Sequence, residues 1–124
     1  MKPFVINSLL TVDQINRNFQ RHYPFLRLQV FDPAGRLLAA TGQALPILRL
    51  NPFLSGLRLM SVEPTMSINA FEIAFHYTFG LRVEVQRKTG FTWDDLEYTR
   101  YWTLKEQNHK GAEIARIRHL QQAV

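Results

Sequence analysis

The stretch "FGLRVEVQRKTG" at residues 79–90 restates "PFLRLQVFDPAG" at residues 24–35, and the architecture follows from taking the two together. Leu26, Leu28 and Val30 alternate with Arg27 and Gln29, as Leu81, Val83 and Val85 alternate with Arg82 and Glu84. A period of two marks a strand with one buried face. Each strand runs into a tight turn that ends in glycine, Asp32-Pro33-Ala34-Gly35 in one case and Arg87-Lys88-Thr89-Gly90 in the other. Glycine takes the positive φ that closes such a turn, so a returning hairpin strand is predicted at 36–40 and again at 91–94.

Upstream of each strand the period changes. Val12, Ile15, Phe19 and Tyr23 step by three and four, as do Ile68, Phe71, Phe75 and Phe79, the stripe of an amphipathic helix. Thr11-Val12-Asp13-Gln14 is a capping box with Leu10 and Ile15 as its hydrophobic staple. Ser67 caps the second helix, with Met66 and Phe71 as staple and only half a box. Pro24 stops the first helix, and Gly80 supplies a left-handed residue after the second. Short apolar pieces, "PFVIN" at 3–7 and "LRLMSVE" at 57–63, precede the helices. A strand–helix–strand unit thus occurs twice, the pattern of a copied ancestral segment, and two units together bury what one cannot.

The predicted fold class is α+β: internally duplicated β-α-β(β) units forming a ferredoxin-like sheet with helices on one face, plus a C-terminal helix. Tandem ubiquitin-like β-grasp units are the alternative. One domain is expected over 1–124, with unit one at 3–41, an irregular crossover at 42–57, unit two at 58–96 and a C-terminal helical segment at 103–123. In that last segment Thr103-Leu104-Lys105-Glu106 is a capping box and Gly111 reads as a break. Ala112, Ile114, Ile117 and Leu120 read as its packing stripe.

A chain of 124 residues, 46% hydrophobic and 20% charged, can build a core without metal or disulfide support. The absence of cysteine excludes thiolate zinc sites and disulfide frameworks, and fits a reducing compartment. No signal-peptide pattern and no apolar run of the roughly 18 residues a membrane helix needs is present. A cytoplasmic protein without membrane contact is expected. The net charge of +5 lies in residues 1–62, with seven Lys/Arg against two acids, whereas 63–124 hold eight of each sign.

The second unit, "MSINAFEIAFHYTFGLRVEV" at 66–85, and "WTLKEQ" at 102–107 resemble a family of small uncharacterised bacterial proteins. Its duplicated units read M-T-V-x-x-(L/F)…F…FGL-x-(L/V)-x-V-(F/Y), each followed by a hairpin and a short T-L turn. The first unit departs from the pattern, with Tyr23-Pro24-Phe25 where the family has Phe-Gly. The resemblance covers about two thirds of the chain and implies the helix–strand fold and a bacterial source. Its motifs are structural and imply no catalytic or ligand residue.

Catalytic chemistry finds no foothold. His22 and His76 sit near helix ends and His109 and His119 are ten apart, so none makes the paired spacing of a zinc site. Ser55-Gly56 lacks a nucleophile elbow, and Ser8, Ser61 and Ser67 read as turn or cap residues. Asp94, Asp95 and Glu97 read as solvated carboxylates, and the six scattered glycines make no phosphate loop. No catalytic, cofactor-binding or metal-binding residue is nominated, and an enzyme is not expected.

Two binding readings are left. Phe91, Trp93, Tyr98, Tyr101 and Trp102, within "FTWDDLEYTRYW", are either interface anchors or a satellite cluster packed beneath a connection. As anchors they make a non-enzymatic protein–protein interaction module of unknown pathway. Strand addition at a sheet edge is a second route, with room for self-association. The runner-up is a basic, sequence-nonspecific nucleic-acid-binding protein, using Arg17, Arg21, Arg27, Arg36, Arg49, Arg58 and Arg82. Base stacking on the sheet is not expected, because among "PFVIN" and "LRLMSVE" only Phe4 is aromatic.

Overall fold

The computed structural model describes residues 2–122. The elements in chain order are β1 (Phe4–Asn7), α1 (Val12–His22), β2 (Leu26–Val30), α2 (Ala40–Gln43), α3 (Ile47–Leu50) and β3 (Leu59–Val62). They continue with α4 (Ile68–Phe79), β4 (Val83–Thr89), β5 (Thr92–Asp95), a 3-10 turn at Glu97–Thr99 and α5 (Leu104–Gln122). Local chemistry sets these boundaries. Thr11 Oγ1 accepts from Gln14 N at 3.1 Å while Gln14 Oε1 accepts from Thr11 N at 2.9 Å, completing the capping box. Ser67 Oγ accepts from Ala70 N at 3.0 Å. Gly80 ends α4 at φ 69°, where a Cβ would also collide with the Asn51 side chain. That side chain donates to Phe79 O at 3.0 Å and so stitches the 42–57 crossover to the helix end.

The α+β class and the C-terminal helix are present, and the strands divide into two antiparallel sheets rather than one ferredoxin-like sheet. β1 pairs with β3, and β2 pairs with β4, which pairs with β5. The strands before the helices therefore pair with each other, as do the strands after them. This cross-pairing also excludes two independent β-grasp units. The physical reason for the split lies at β2, whose edge away from β4 is occupied. Leu26 N donates to Tyr23 O, Leu28 N and O bond the Asn16 side chain, and Val30 O accepts from Leu38 N. Four of the six backbone groups on that edge are thereby taken, and pairing with β1 or β3 would have to displace them.

One of the two predicted hairpin strands forms. β5 returns along β4 within one residue of expectation. Beyond β2, Phe31 and Leu37 make a single bridge, Leu38 turns inward, and the chain enters α2. Residues 36–40 thus complete no strand. The turn glycines take positive φ in both places, 85° at Gly35 and 66° at Gly90.

The inward faces of both sheets meet the stripes of α1 and α4 in one cluster. Phe19 packs at a tilt against Phe71, centroids 5.4 Å apart, and the chain of rings continues through Phe75 to Phe79 at 6.2 and 5.0 Å. All four are fully buried. Burial of each such side chain stabilises the fold by about 1.5–3 kcal/mol.

α5 differs from expectation in two respects. It runs unbroken through Gly111, where a Cβ would strike Phe25; the glycine permits close approach rather than ending the helix. Its buried face is Leu104, Gln107, Asn108 and Gly111, while Ile117 and Leu120 remain 45% and 59% exposed. Two amides do the docking. Gln107 Nε2 donates to Thr99 O at 2.9 Å, and its Oε1 accepts from Arg87 Nη1 at 2.9 Å. Asn108 Oδ1 accepts from Phe25 N at 2.9 Å. The last predicted residue of this segment, Ala123, lies outside the described residues.

Candidate functional site

The aromatic run at 91–102 separates into two surfaces. After β5 the chain follows the 3-10 turn along the N-terminus of α4, held by Ile68 N to Trp102 O and Asn69 N to Arg100 O, both at 2.9 Å. Leu104 N to Met66 O and Lys105 N to Pro64 O extend the seam. The Arg100 side chain adds two bonds, Nη2 to Asn69 Oδ1 and to Glu72 Oε1, both at 3.0 Å. On this pinned connection Tyr98 and Tyr101 are 89% and 75% exposed. Trp102 is half-buried and borders an open groove of about 720 Å³ along α5, with Lys105, His109, Lys110 and Glu113 among its walls. The two tyrosines are too exposed to form a packed satellite cluster.

Phe91 and Trp93 belong to the other surface. Leu28, Val30, Val83 and Val85 point into the core, so Arg27, Phe31, Arg82, Gln86 and Lys88 point out of the same sheet. Trp93 lies opposite Lys88 and beneath Arg27, whose guanidinium is 4.6 Å from the ring centroid. Arg27 Nε also donates to Gln86 Oε1 at 2.8 Å. Partial burial pulls the pKa of Arg27 below the ordinary guanidinium value, and the group stays a cation at neutral pH. Arg82 covers Phe31 at 3.6 Å.

The seven nominated arginines do not form one set. Arg27 and Arg82 share the outer sheet face. Arg17 and Arg21 are exposed on α1, Arg36 follows the first turn, Arg49 is on α3 and Arg58 precedes β3. Among the described residues these last five make no ion pair; the bridges are Arg82–Glu84, Arg100–Glu72 and Lys110–Glu113.

Of the titratable groups packed into the fold, Glu72 and His22 have hydrogen-bond partners and Tyr23 has none. Glu72 Oε2 accepts from Val85 N at 2.9 Å where β4 extends beyond the end of β5. Burial raises its pKa above the ordinary carboxyl value, against the pull of that bond and of Arg100. The Tyr23 hydroxyl is buried with no hydrogen-bond partner, and burial, with the Glu63 charge, pushes it up to about 12. It is a neutral phenol at physiological pH. His22 stacks on Phe4 at 4.1 Å and bonds Asn18 O through Nδ1. Among the described residues no three His, Cys, Asp or Glu side chains converge as metal ligands, and no helix is long and apolar enough to cross a membrane.

Sequence reasoning passed over Phe31 as a surface ring and treated Trp93 as one of a single aromatic group. The parity of β2 and β4 was the available signal: odd positions of β2 and even positions of β4 share the outer face. The pairing that places Trp93 beside them comes from a hairpin register no local pattern states. Protein-family models, curated proteins and solved structures give no match to the chain.

Proposed function

We propose that this chain is a non-enzymatic protein-recognition module whose contact surface is the 97–103 connection together with the adjoining groove along α5. One observation carries the reading: two tyrosines exposed to 89% and 75% stand on backbone held by hydrogen bonds to α4. Tyrosine brings large amphipathic area at low entropic cost, and a pre-organised connection lowers the ordering cost of association. Arg100, Lys105 and Glu106 around them provide the polar rim such anchors favour.

The test is a comparison of variants. Tyr98→Ala and Tyr101→Ala should alter unfolding free energy by no more than about 0.5 kcal/mol, since neither side chain packs. The double variant should lose the partners that the wild-type protein captures from lysate, and Arg17→Ala should keep them. Equal capture by the wild type and the double variant sinks the reading.

A further inference from the structure

Among the described residues three guanidinium–aromatic pairs occur, and all involve the three-stranded sheet or its hairpin tip. Arg82 lies over Phe31 and Arg27 over Trp93 on the outer face. At the tip, Arg118 of α5 lies 5.3 Å from the centroid of Phe91, a ring that is 86% exposed. Arg118 is also seated against the turn: a Cβ on Gly90 would stand 2.7 Å from its guanidinium carbon. It has no carboxylate partner among the described residues. A cleft of about 260 Å³ separates the tip from α5, and Phe25, Lys88, Arg118 and His119 line it with no acid among its walls. Lys88 belongs to both the cleft and the outer face, so the two surfaces are continuous. Two acids share the face. Glu84 is paired with Arg82, and Asp95 accepts from Gln86 Nε2.

We infer that this continuous face, from Phe31 through Trp93 to the Phe91 cleft, binds a short stretch of single-stranded nucleic acid. Bases stack on the exposed ring of Phe91 and on the outer planes of the guanidinium–ring pairs, since a guanidinium plane accepts a base as an aromatic ring does. Phosphates neutralise Lys88, Arg118 and the guanidinium edges. A duplex hides its base faces and gains nothing from the rings. A peptide strand is disfavoured at the β2 edge of this sheet, where Asn16, Tyr23 and Leu38 already bond the backbone. The dispersed arginines of α1, α3 and the loops are not required, which separates this face from sequence-blind attraction to the whole basic surface.

The experiment uses the full chain with Trp102→Phe, leaving Trp93 as the single tryptophan. Titration with a short oligothymidylate at about 50 mM salt should quench Trp93 fluorescence and weaken steeply as salt is raised. Phe91→Ala and Arg118→Ala, both outside the core, should each weaken binding by roughly tenfold, the scale of one lost stacking contact. Arg17→Ala should change it by less than about twofold, and so should Tyr98→Ala, so that failure here and failure of the protein-recognition reading are told apart. The proposal is overturned by the absence of quenching, by equal affinity for a duplex or for poly-glutamate, or by binding that Phe91→Ala and Arg118→Ala leave unchanged.

Discussion

At matching positions on α1 and α4, Asn16 and Glu72 both reach an unpaired strand edge of the same sheet. Asn16 gives and takes, donating to Leu28 O at 2.9 Å and accepting from Leu28 N at 3.1 Å. Glu72 only takes, from Val85 N, and its burial raises the pKa of the carboxyl. A neutral amide closes an edge by itself, whereas a half-buried carboxylate calls for a cation. Arg100 supplies it, and in doing so draws the 97–103 connection onto α4. The first segment is closed and carries no exposed aromatic of this kind. The second acquires a pinned connection that displays Tyr98 and Tyr101. One exchange of side chain between two similar segments thus accompanies the difference between scaffold and candidate surface.

The comparison breaks first in the core. Phe19→Ala and Phe75→Ala should each cost about 3–5 kcal/mol in denaturant unfolding, because both rings are fully buried in one cluster. A loss below about 1 kcal/mol in either would show that its segment does not share the interior. A smaller effect is expected from Asn16→Ala. It orphans one donor and one acceptor on a part-buried edge of β2, at about 1–3 kcal/mol for the two together. Freed edge bonds also invite pairing between copies, so gel filtration should show more self-association than the wild type at equal concentration. A variant that is monomeric and as stable as wild type would refute the assigned role of Asn16.

The smallest effect is one of pH. Burial raises the Glu72 pKa in the folded state above its unfolded value near 4.5, so between those two values the native state binds more protons. The site's contribution is complete below the unfolded value and is lost as pH rises through the folded one. Lowering pH from 7 toward 4.5 should therefore stabilise the wild type relative to Glu72→Gln, in paired unfolding curves. Arg100 opposes the shift, which keeps the effect modest. A difference that stays constant across that range would contradict it.

Much of the scaffold was legible in the residues because the signals are local. The stripes of α1 and α4, the Thr11 capping box and the glycines at 35, 80 and 90 act within four or five residues of themselves, and each stands where its spacing says. Long-range placement was not legible. Gln107 and Asn108 carry polar side chains that a periodicity reading turns outward; their inward role depends on Thr99, Arg87 and Phe25 arriving from three other places. Gly111 reads as a helix breaker by propensity, yet α5 keeps it for the close approach of Phe25. Of the candidate residues, the exposed tyrosines were nominated with Phe91, Trp93 and Trp102 as a single run, and the fold divides that run between two faces.

The sequence by itself determined β2, β4, α1 and α4, their caps and turns and which face of each is apolar, since these rest on dihedral preference and side-chain period along the chain. Only the tertiary structure decided that the strands before the helices pair apart from those after them, and that Arg27 meets Trp93 and Arg118 meets Phe91. Those outcomes depend on which backbone groups are already bonded when two edges meet, a competition among distant parts of the chain that a one-dimensional pattern does not record.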